Sequence, residues 1–247
     1  MPWIGYHDLI DRADVFDLLD NDAMTNAPSW QQRNRIKTPK GLAWLTVPVR
    51  RSGHTGQAIR DVEIADARFW RKHLNTINAN YARAAFFPEY RAKLAALFDD
   101  GAPPARLSDV NIAIIKLFAQ WAELTPRFVL ASELPVSGSR TDRLVAICRE
   151  LGGDTYLSPL GAIEYLADDG QKFADGRVSL AFQNYAHPEY TQVSTPFVPF
   201  ASAVDLFLNE GPNAARIMRS GRRPDLTIEQ ALETLHDGKT TTTEVAQ

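Results

Sequence analysis

The densest group of chemically capable side chains is the polar stretch Ser29-Trp30-Gln31-Gln32-Arg33-Asn34-Arg35-Ile36-Lys37. Arg33, Arg35 and Lys37 are spaced by two, so an extended segment would direct all three to one side. Guanidinium groups bind phosphate or carboxylate through paired hydrogen bonds, and the Gln and Asn side chains could read hydroxyl groups. The stretch is therefore a candidate site for an anionic substrate. The alternative is a solvated basic loop that pairs with the aspartates near the N-terminus.

A second candidate is His187, in the segment His187-Pro188-Glu189-Tyr190 that follows a predicted strand. Site residues of open parallel sheets collect beyond the carboxyl ends of the strands. A histidine there could act as a general base near neutral pH, with Tyr190 or Ser158 orienting it. Ser158 belongs to a strand-to-helix turn whose backbone N–H groups could hold an anion. The alternative for His187 is a structural role, as a hydrogen-bond partner of a neighbouring loop.

Other kinds of site are not indicated. No His, Asp and Glu spacing resembles a metal motif, and the phosphate-binding glycine patterns of P-loop and common dinucleotide-binding proteins are absent, so we expect no metal and no cofactor. The single cysteine, Cys148, is predicted on an inward helix face and unreactive. A C-terminal cluster could touch phosphate or form a solvated helix face; it comprises Arg216, Arg219, Arg222 and Arg223. His54 and His236 are expected at the surface.

The composition is that of a soluble globular protein. The chain has 247 residues, 45% hydrophobic and 23% charged, with a net charge of −3 and a pI near 6.0. A general nucleic-acid binder is usually basic, so that partner is disfavoured. One cysteine cannot form an internal disulfide, and no apolar run approaches the roughly 20 residues that span a bilayer. We therefore expect a cytoplasmic protein that acts on a small molecule.

The hydrophobic pattern predicts an α/β fold with a mostly parallel central sheet, helices on both faces and an N-terminal β-hairpin insertion. Strands are predicted over 15–19, 42–49, 57–64, 127–134, 154–157 and 178–185, the second and third forming the hairpin. Helices are predicted over 3–13, 65–84, 88–98, 109–123, from Thr141 to Leu151, and over 160–167, 200–209, 213–220 and 227–236. Residues 1–237 are predicted to form one domain, and 238–247 a flexible tail.

The chain opens directly in a tryptophan-bearing helix, whereas a βα unit normally begins with its strand. We therefore expect that an upstream segment encodes a short apolar strand that pairs in the sheet. Without it, a neighbouring strand would carry an unpaired edge.

Taken together, these segments resemble the WbqC-like family over roughly residues 3 to 212. The matching segments are Trp3-Ile4-Gly5-Tyr6, Ala13-Asp14-Val15-Phe16, Ser29 to Lys37, Trp44 to Val49, Thr141-Asp142-Arg143-Leu144, Tyr156-Leu157-Ser158-Pro159, His187 to Tyr190, and Ala203 to Gly211. Family members commonly carry a strand and a Gln-Pro-aromatic segment before the first of these, where this chain starts at Met1-Pro2-Trp3.

The resemblance implies an enzyme that modifies sugars in bacterial surface-polysaccharide synthesis, such as that of O-antigen, by acyl or aminoacyl transfer to an amino sugar. A phosphorylated or nucleotide-linked sugar would agree with the basic stretch. The residues predicted to contact this sugar substrate are Trp30, Gln31, Arg33, Asn34, Arg35, Lys37 and Tyr6. One alternative is a non-catalytic binding or assembly protein of a polysaccharide-synthesis complex. Another is an ATP-dependent, nucleotidyl-transfer-like enzyme with phosphates beside Gly5-Tyr6-His7 and Ser158.

Overall fold

The computed structural model describes residues 1–25, 27–50, 56–98 and 102–235. Its strands are β1 (Val15–Leu18), β2 (Arg33–Thr38), β3 (Gly41–Thr46), β4 (Arg127–Leu130), β5 (Thr155–Pro159) and β6 (Ser179–Gln183). Its helices are α1 (Ile4–Arg12), α2 (Phe69–Tyr81), α3 (Phe87–Ala95), α4 (Leu107–Trp121), α5 (Arg140–Glu150), α6 (Ile163–Leu166), α7 (Gly170–Asp175), α8 (Ala203–Glu210) and α9 (Ala214–Ser220). A further helical segment covers 228–235.

The described strands form three pairs. β1 is parallel to β4, with Val15 opposite Arg127, and β5 is parallel to β6, with Thr155 opposite Ser179. β2 and β3 form an antiparallel hairpin in which Arg33 faces Thr46. The predicted α/β class, parallel pairing and N-terminal hairpin are therefore confirmed. The parallel sheet is small, because its strands lie in two separate pairs of four and five residues.

The position of the hairpin differs from the prediction. The polar stretch itself supplies β2, and the chain turns back at Gly41, whose φ of +108° is in the left-handed region that glycine favours. In β2 the side chains of Asn34 and Ile36 are buried while Arg33 and Arg35 are half-buried. Alternating burial of this kind fits a strand with basic residues on its open face, which the polar composition concealed.

The predicted strand over 57–64 is wrong. It contains a 3₁₀ turn, Ile59–Asp61, and makes only isolated bridges, Ala23 with Ala58 and Val49 with Ile64. His54, His236 and the predicted tail lie outside the described residues.

Two clusters of buried side chains hold the chain together. The larger joins α1, α2, α4 and α8, with Trp70 and Phe118 fully buried. The smaller is formed by α5, α6, β5, β6 and their neighbours, and includes the fully buried Phe182 and the 9% exposed Cys148. Burial raises the pKa of the Cys148 thiol to about 11, which keeps it protonated and unreactive. Among the described helices, none is both long enough and apolar enough to cross a membrane.

Candidate functional site

A cleft of about 730 Å³ lies at the carboxyl end of β1. Leu18, Leu19 and Asp20 form one side, and a second side includes Trp3, which directly precedes α1, and Tyr6 in the first turn of that helix. Other walls come from the segment 30–35, from α4 and from Phe200. This is the edge at which open parallel sheets bind ligands, and the volume suits a small molecule.

Two tryptophans and two arginines form what we call the Trp–Arg platform, made of Trp30, Trp44, Arg33 and Arg35. The indole rings of Trp30 and Trp44 have centroids 5.5 Å apart, and 65% and 45% of these residues are exposed. The Arg33 guanidinium lies 4.1 Å from the Trp44 centroid, and that of Arg35 lies 5.4 Å from Trp30 and 5.5 Å from Trp44. Stacking of this kind holds guanidinium groups in place while leaving their N–H donors free.

Neither arginine of the platform has a carboxylate within 4.0 Å among the described residues, and the Arg35 Nε is buried without a hydrogen-bond partner. The N-terminal aspartates pair elsewhere. Asp8 and Asp11 bind Arg222, and Asp11 also binds Arg219. The alternative in which the basic stretch pairs with these aspartates is therefore not realised. Two arginines of the C-terminal cluster are engaged in those ion pairs instead.

Four other predicted substrate contacts take different positions. Tyr6, Gln31 and Asn34 line the cleft with Trp30 and Arg35. The Tyr6 hydroxyl has no hydrogen-bond partner among the described residues, and burial raises its pKa, so it stays protonated and able to donate. Asn34 is buried and donates 2.7 Å to the Met1 carbonyl. Lys37 is only 3% exposed and does not line the cleft.

Lys37 belongs instead to a buried network around Asp205, a residue that sequence analysis missed. Its backbone N–H donates to the Tyr81 hydroxyl, which donates 2.6 Å to the Asp205 carboxylate. Tyr190 and Gln192 donate to the other carboxylate oxygen at 2.7 and 2.9 Å. Burial raises the pKa of Asp205, against the opposing effect of these donors and of the Lys37 charge. The Tyr190 hydroxyl is thus committed to Asp205.

His187 lies one aromatic layer behind the cleft. Its ring stacks on Trp3, with centroids 6.0 Å apart, and packs edge-on against Phe200 at 5.1 Å, and both of these residues line the cleft. The His187 Nδ1 is 2.9 Å from the Pro188 carbonyl, which only accepts, so Nδ1 carries the proton and Nε2 has a free lone pair. That Nε2 is buried without a partner, and burial lowers the pKa of the ring. His187 therefore has the neutral form that a general base requires.

Ser158 is not brought to the cleft. It lies in β5 opposite Phe182, fully buried, and its hydroxyl donates 3.3 Å to the neighbouring Pro159 carbonyl. Gly5 is also enclosed, because a Cβ there would lie 2.3 Å from the Trp3 ring. Phosphates beside Gly5 and Ser158, as the nucleotidyl-transfer alternative requires, find no support in this geometry. Gly5 instead allows the indole of Trp3 to fold onto α1 beside His187.

Sequence analysis also missed Asp20, Asn111 and Phe200 as cleft residues. Asp20 lies two residues after the end of β1, a position that could have indicated it, and accepts hydrogen bonds from the Ser132 N–H and hydroxyl at 2.9 and 2.6 Å. Asn111 of α4 donates 2.7 Å to the Gln31 carbonyl and so holds the segment that carries Trp30. Phe200 has a φ of +63°, a strained conformation for a bulky residue, and is 47% exposed at the cleft.

Comparison with known proteins gives one family. The model of the WbqC-like protein family matches residues 1–217. The chain is also 30% identical over 224 residues to the uncharacterized protein Rv1507c of Mycobacterium tuberculosis. The aligned residues cover 90% of this chain and 95% of that protein. No solved structure matches the chain significantly. The extent of the family match shows that the chain belongs to the WbqC-like protein family.

Proposed function

We propose that this protein is a transferase that acts on a phosphorylated or nucleotide-linked amino sugar in the cytoplasm, during synthesis of a bacterial surface polysaccharide such as O-antigen. The observation that carries the proposal is the Trp–Arg platform, of which Trp30 and Arg35 line the cleft. Arg33 and Arg35 have no carboxylate partner among the described residues, so they are available to an anion from outside. Trp30 offers an exposed flat surface on which a sugar or base can stack.

The proposed reaction is acyl or aminoacyl transfer from a thioester to the sugar amine. The amine nitrogen forms a bond to the acyl carbon, the carbon–sulfur bond breaks, and the thiolate leaves. His187 Nε2 takes the proton that the amine loses and passes it to the thiolate, which balances the step. Because Trp3 and Phe200 separate His187 from the cleft, the proposed step requires one of these side chains to move when the substrate binds.

Calorimetric titration with nucleotide-linked amino sugars tests the binding part of this proposal. Arg35→Ala is expected to weaken binding about ten- to hundredfold, since a hydrogen bond to a charged group contributes about 1.5–3 kcal/mol. Arg216→Ala is the matched control, because Arg216 is an exposed arginine of α9 away from the cleft. Negligible heat in both wild type and Arg35→Ala would remove the nucleotide-sugar proposal.

A second candidate is a non-catalytic protein that binds polysaccharide precursors within a synthesis complex. The enclosure of His187 behind two aromatic rings favours it, because the base then never meets the substrate. Mass spectrometry of mixtures of amino-sugar nucleotides and acyl thioesters distinguishes the two. Transfer adds the mass of the acyl group to the sugar in wild type and not in His187→Ala. Binding without any mass gain would favour the second candidate.

A further inference from the structure

The chemistry of the inner cleft wall differs from that of its mouth. Leu18 and Ile115 are buried, and Ile59 and Ile112 are half-buried, and all four side chains line the cleft together with Tyr6. We propose that this inner wall binds an apolar chain whose attached anionic group is held by Arg35. This inference rests on the proposed function and identifies the kind of molecule that one of its two substrates must be.

Apart from the Tyr6 hydroxyl, which has no hydrogen-bond partner among the described residues, the polar side chains Asp20, Asn111 and Asn34 along the wall are already occupied within the protein. Asp20 accepts both hydrogen bonds from Ser132, Asn111 donates to the Gln31 carbonyl, and the Asn34 amide bridges Met1 and Arg35. A sugar ring buried here would leave hydroxyl groups without partners, which is costly. A hydrocarbon chain needs none, and it gains the free energy of burying apolar surface.

Arg35 fixes where the charged end of such a molecule would lie. Its guanidinium lies 5.4 Å from the centroid of the exposed Trp30 ring, its side chain lines the cleft together with the inner wall, and its Nε is buried without a partner. Arg35 is the cationic side chain among those that line the cleft. The carboxylate in the same lining, Asp20, is hydrogen-bonded to Ser132. The arrangement therefore fits one anionic group at the end of an apolar chain, with the sugar remaining on the platform outside. An isoprenoid phosphate carrier has this chemistry directly. A coenzyme A thioester also combines an apolar chain with phosphates, which the pantetheine arm separates from the acyl group.

Calorimetric titration with butyl, hexyl and octyl phosphate, each below its micelle concentration, tests the inference. Each added methylene is expected to tighten binding by up to about fourfold, the equivalent of about 0.8 kcal/mol per buried CH₂. Octyl trimethylammonium, with the opposite charge, is expected not to bind. Affinity that does not change with chain length would overturn the inference, as would equal binding of the cationic amphiphile.

Single substitutions identify which residues cause the dependence on chain length and which hold the phosphate. Ile112→Asn is expected to flatten the dependence on chain length, whereas the matched control Ile112→Val keeps it. Arg35→Gln is expected to weaken all three phosphates by the same factor, about tenfold, and to leave the dependence on chain length unchanged. If Ile112→Asn fails to fold by circular dichroism, Phe200→Ala, which removes an exposed aromatic from the same cleft, takes its place. A chain-length dependence that survives every wall variant would contradict the assignment.

The outcomes separate this inference from the proposed function. Nucleotide sugars that bind, with no dependence on alkyl chain length, would leave the proposed function standing and refute the inference. If alkyl phosphates bind as expected and nucleotide sugars do not bind, the inference is supported and the proposed function is refuted. Displacement of octyl phosphate by octanoyl coenzyme A indicates an acyl donor, and displacement by geranyl phosphate indicates an isoprenoid carrier. Displacement by neither would count against the inference.

Discussion

The Asp205 network allows the sharpest expectation for a single hydroxyl group. Tyr190→Phe removes the 2.7 Å hydrogen bond that the Tyr190 hydroxyl donates to the fully buried Asp205 carboxylate. Hydrogen bonds to charged groups contribute about 1.5–3 kcal/mol, so we expect the free energy of unfolding to fall by about that amount. The phenyl ring itself stays, and with it the packing against His187 and Phe197.

Urea denaturation followed by far-ultraviolet circular dichroism measures this change, with Tyr165→Phe as the matched control. Tyr165 is 56% exposed, and its substitution is expected to change stability by less than about 0.5 kcal/mol. Adding Tyr81→Phe to Tyr190→Phe should cost more than the two separate losses together, because the buried carboxylate would then keep, among the described residues, only the Gln192 side-chain donor. A Tyr190→Phe variant as stable as the Tyr165→Phe control would refute the account of Asp205.

Three further expectations concern pH and packing. Burial raises the pKa of Asp17 to about 6 from its ordinary value of 3.8, so the folded state binds its proton more tightly and stability falls as pH rises between about 4 and 6. Asp17→Asn should remove this decline, by about 1–2 kcal/mol after allowance for partial exposure, in urea titrations at both ends of the range. Gly5→Ala should lower the melting temperature although alanine favours helices, because its Cβ would collide with the Trp3 ring; an unchanged or higher melting temperature would count against this packing. His187→Gln should abolish the proposed acyl transfer and leave calorimetric binding unchanged. The wild-type kcat/KM should rise with pH to a plateau whose midpoint is below 6.5, since burial lowers the pKa of His187 in the free protein; a midpoint above 6.5 would contradict this assignment of the base.

Local patterns in the sequence were enough to predict part of the fold. The apolar spacing of Ile4, Leu9 and Ile10 predicted α1, and the short apolar run after it predicted β1, because both elements bury their own hydrophobic side. The hairpin was misplaced because β2 alternates basic and buried residues, and its polar composition resembles a loop. Pattern analysis identifies strands by apolar alternation, so a strand whose open face carries arginines is easily missed.

The lining of the candidate cleft was predictable where neighbours in sequence are also neighbours in space. Trp30, Gln31, Asn34 and Arg35 come from one short segment, and the cleft brings them together with Tyr6. Contacts between segments that are distant in sequence could not be predicted from local patterns. Asp205 meets Tyr81 across 124 positions. The stacking of His187 on Trp3 likewise depends on the tertiary fold.

The five tryptophans provide the most direct test of where the substrate binds. Trp3 and Trp30 line the cleft, Trp44 completes the platform, Trp70 is fully buried, and Trp121 lines a separate cavity of about 550 Å³. Each indole N–H gives its own nuclear magnetic resonance signal, which single substitutions by phenylalanine assign. Titration with a nucleotide-linked amino sugar is expected to shift the Trp30 and Trp44 signals and to leave those of Trp70 and Trp121 unchanged. Shifts confined to Trp121, or no shift at Trp30 at saturating ligand, would contradict the assignment of the Trp–Arg platform as the binding site.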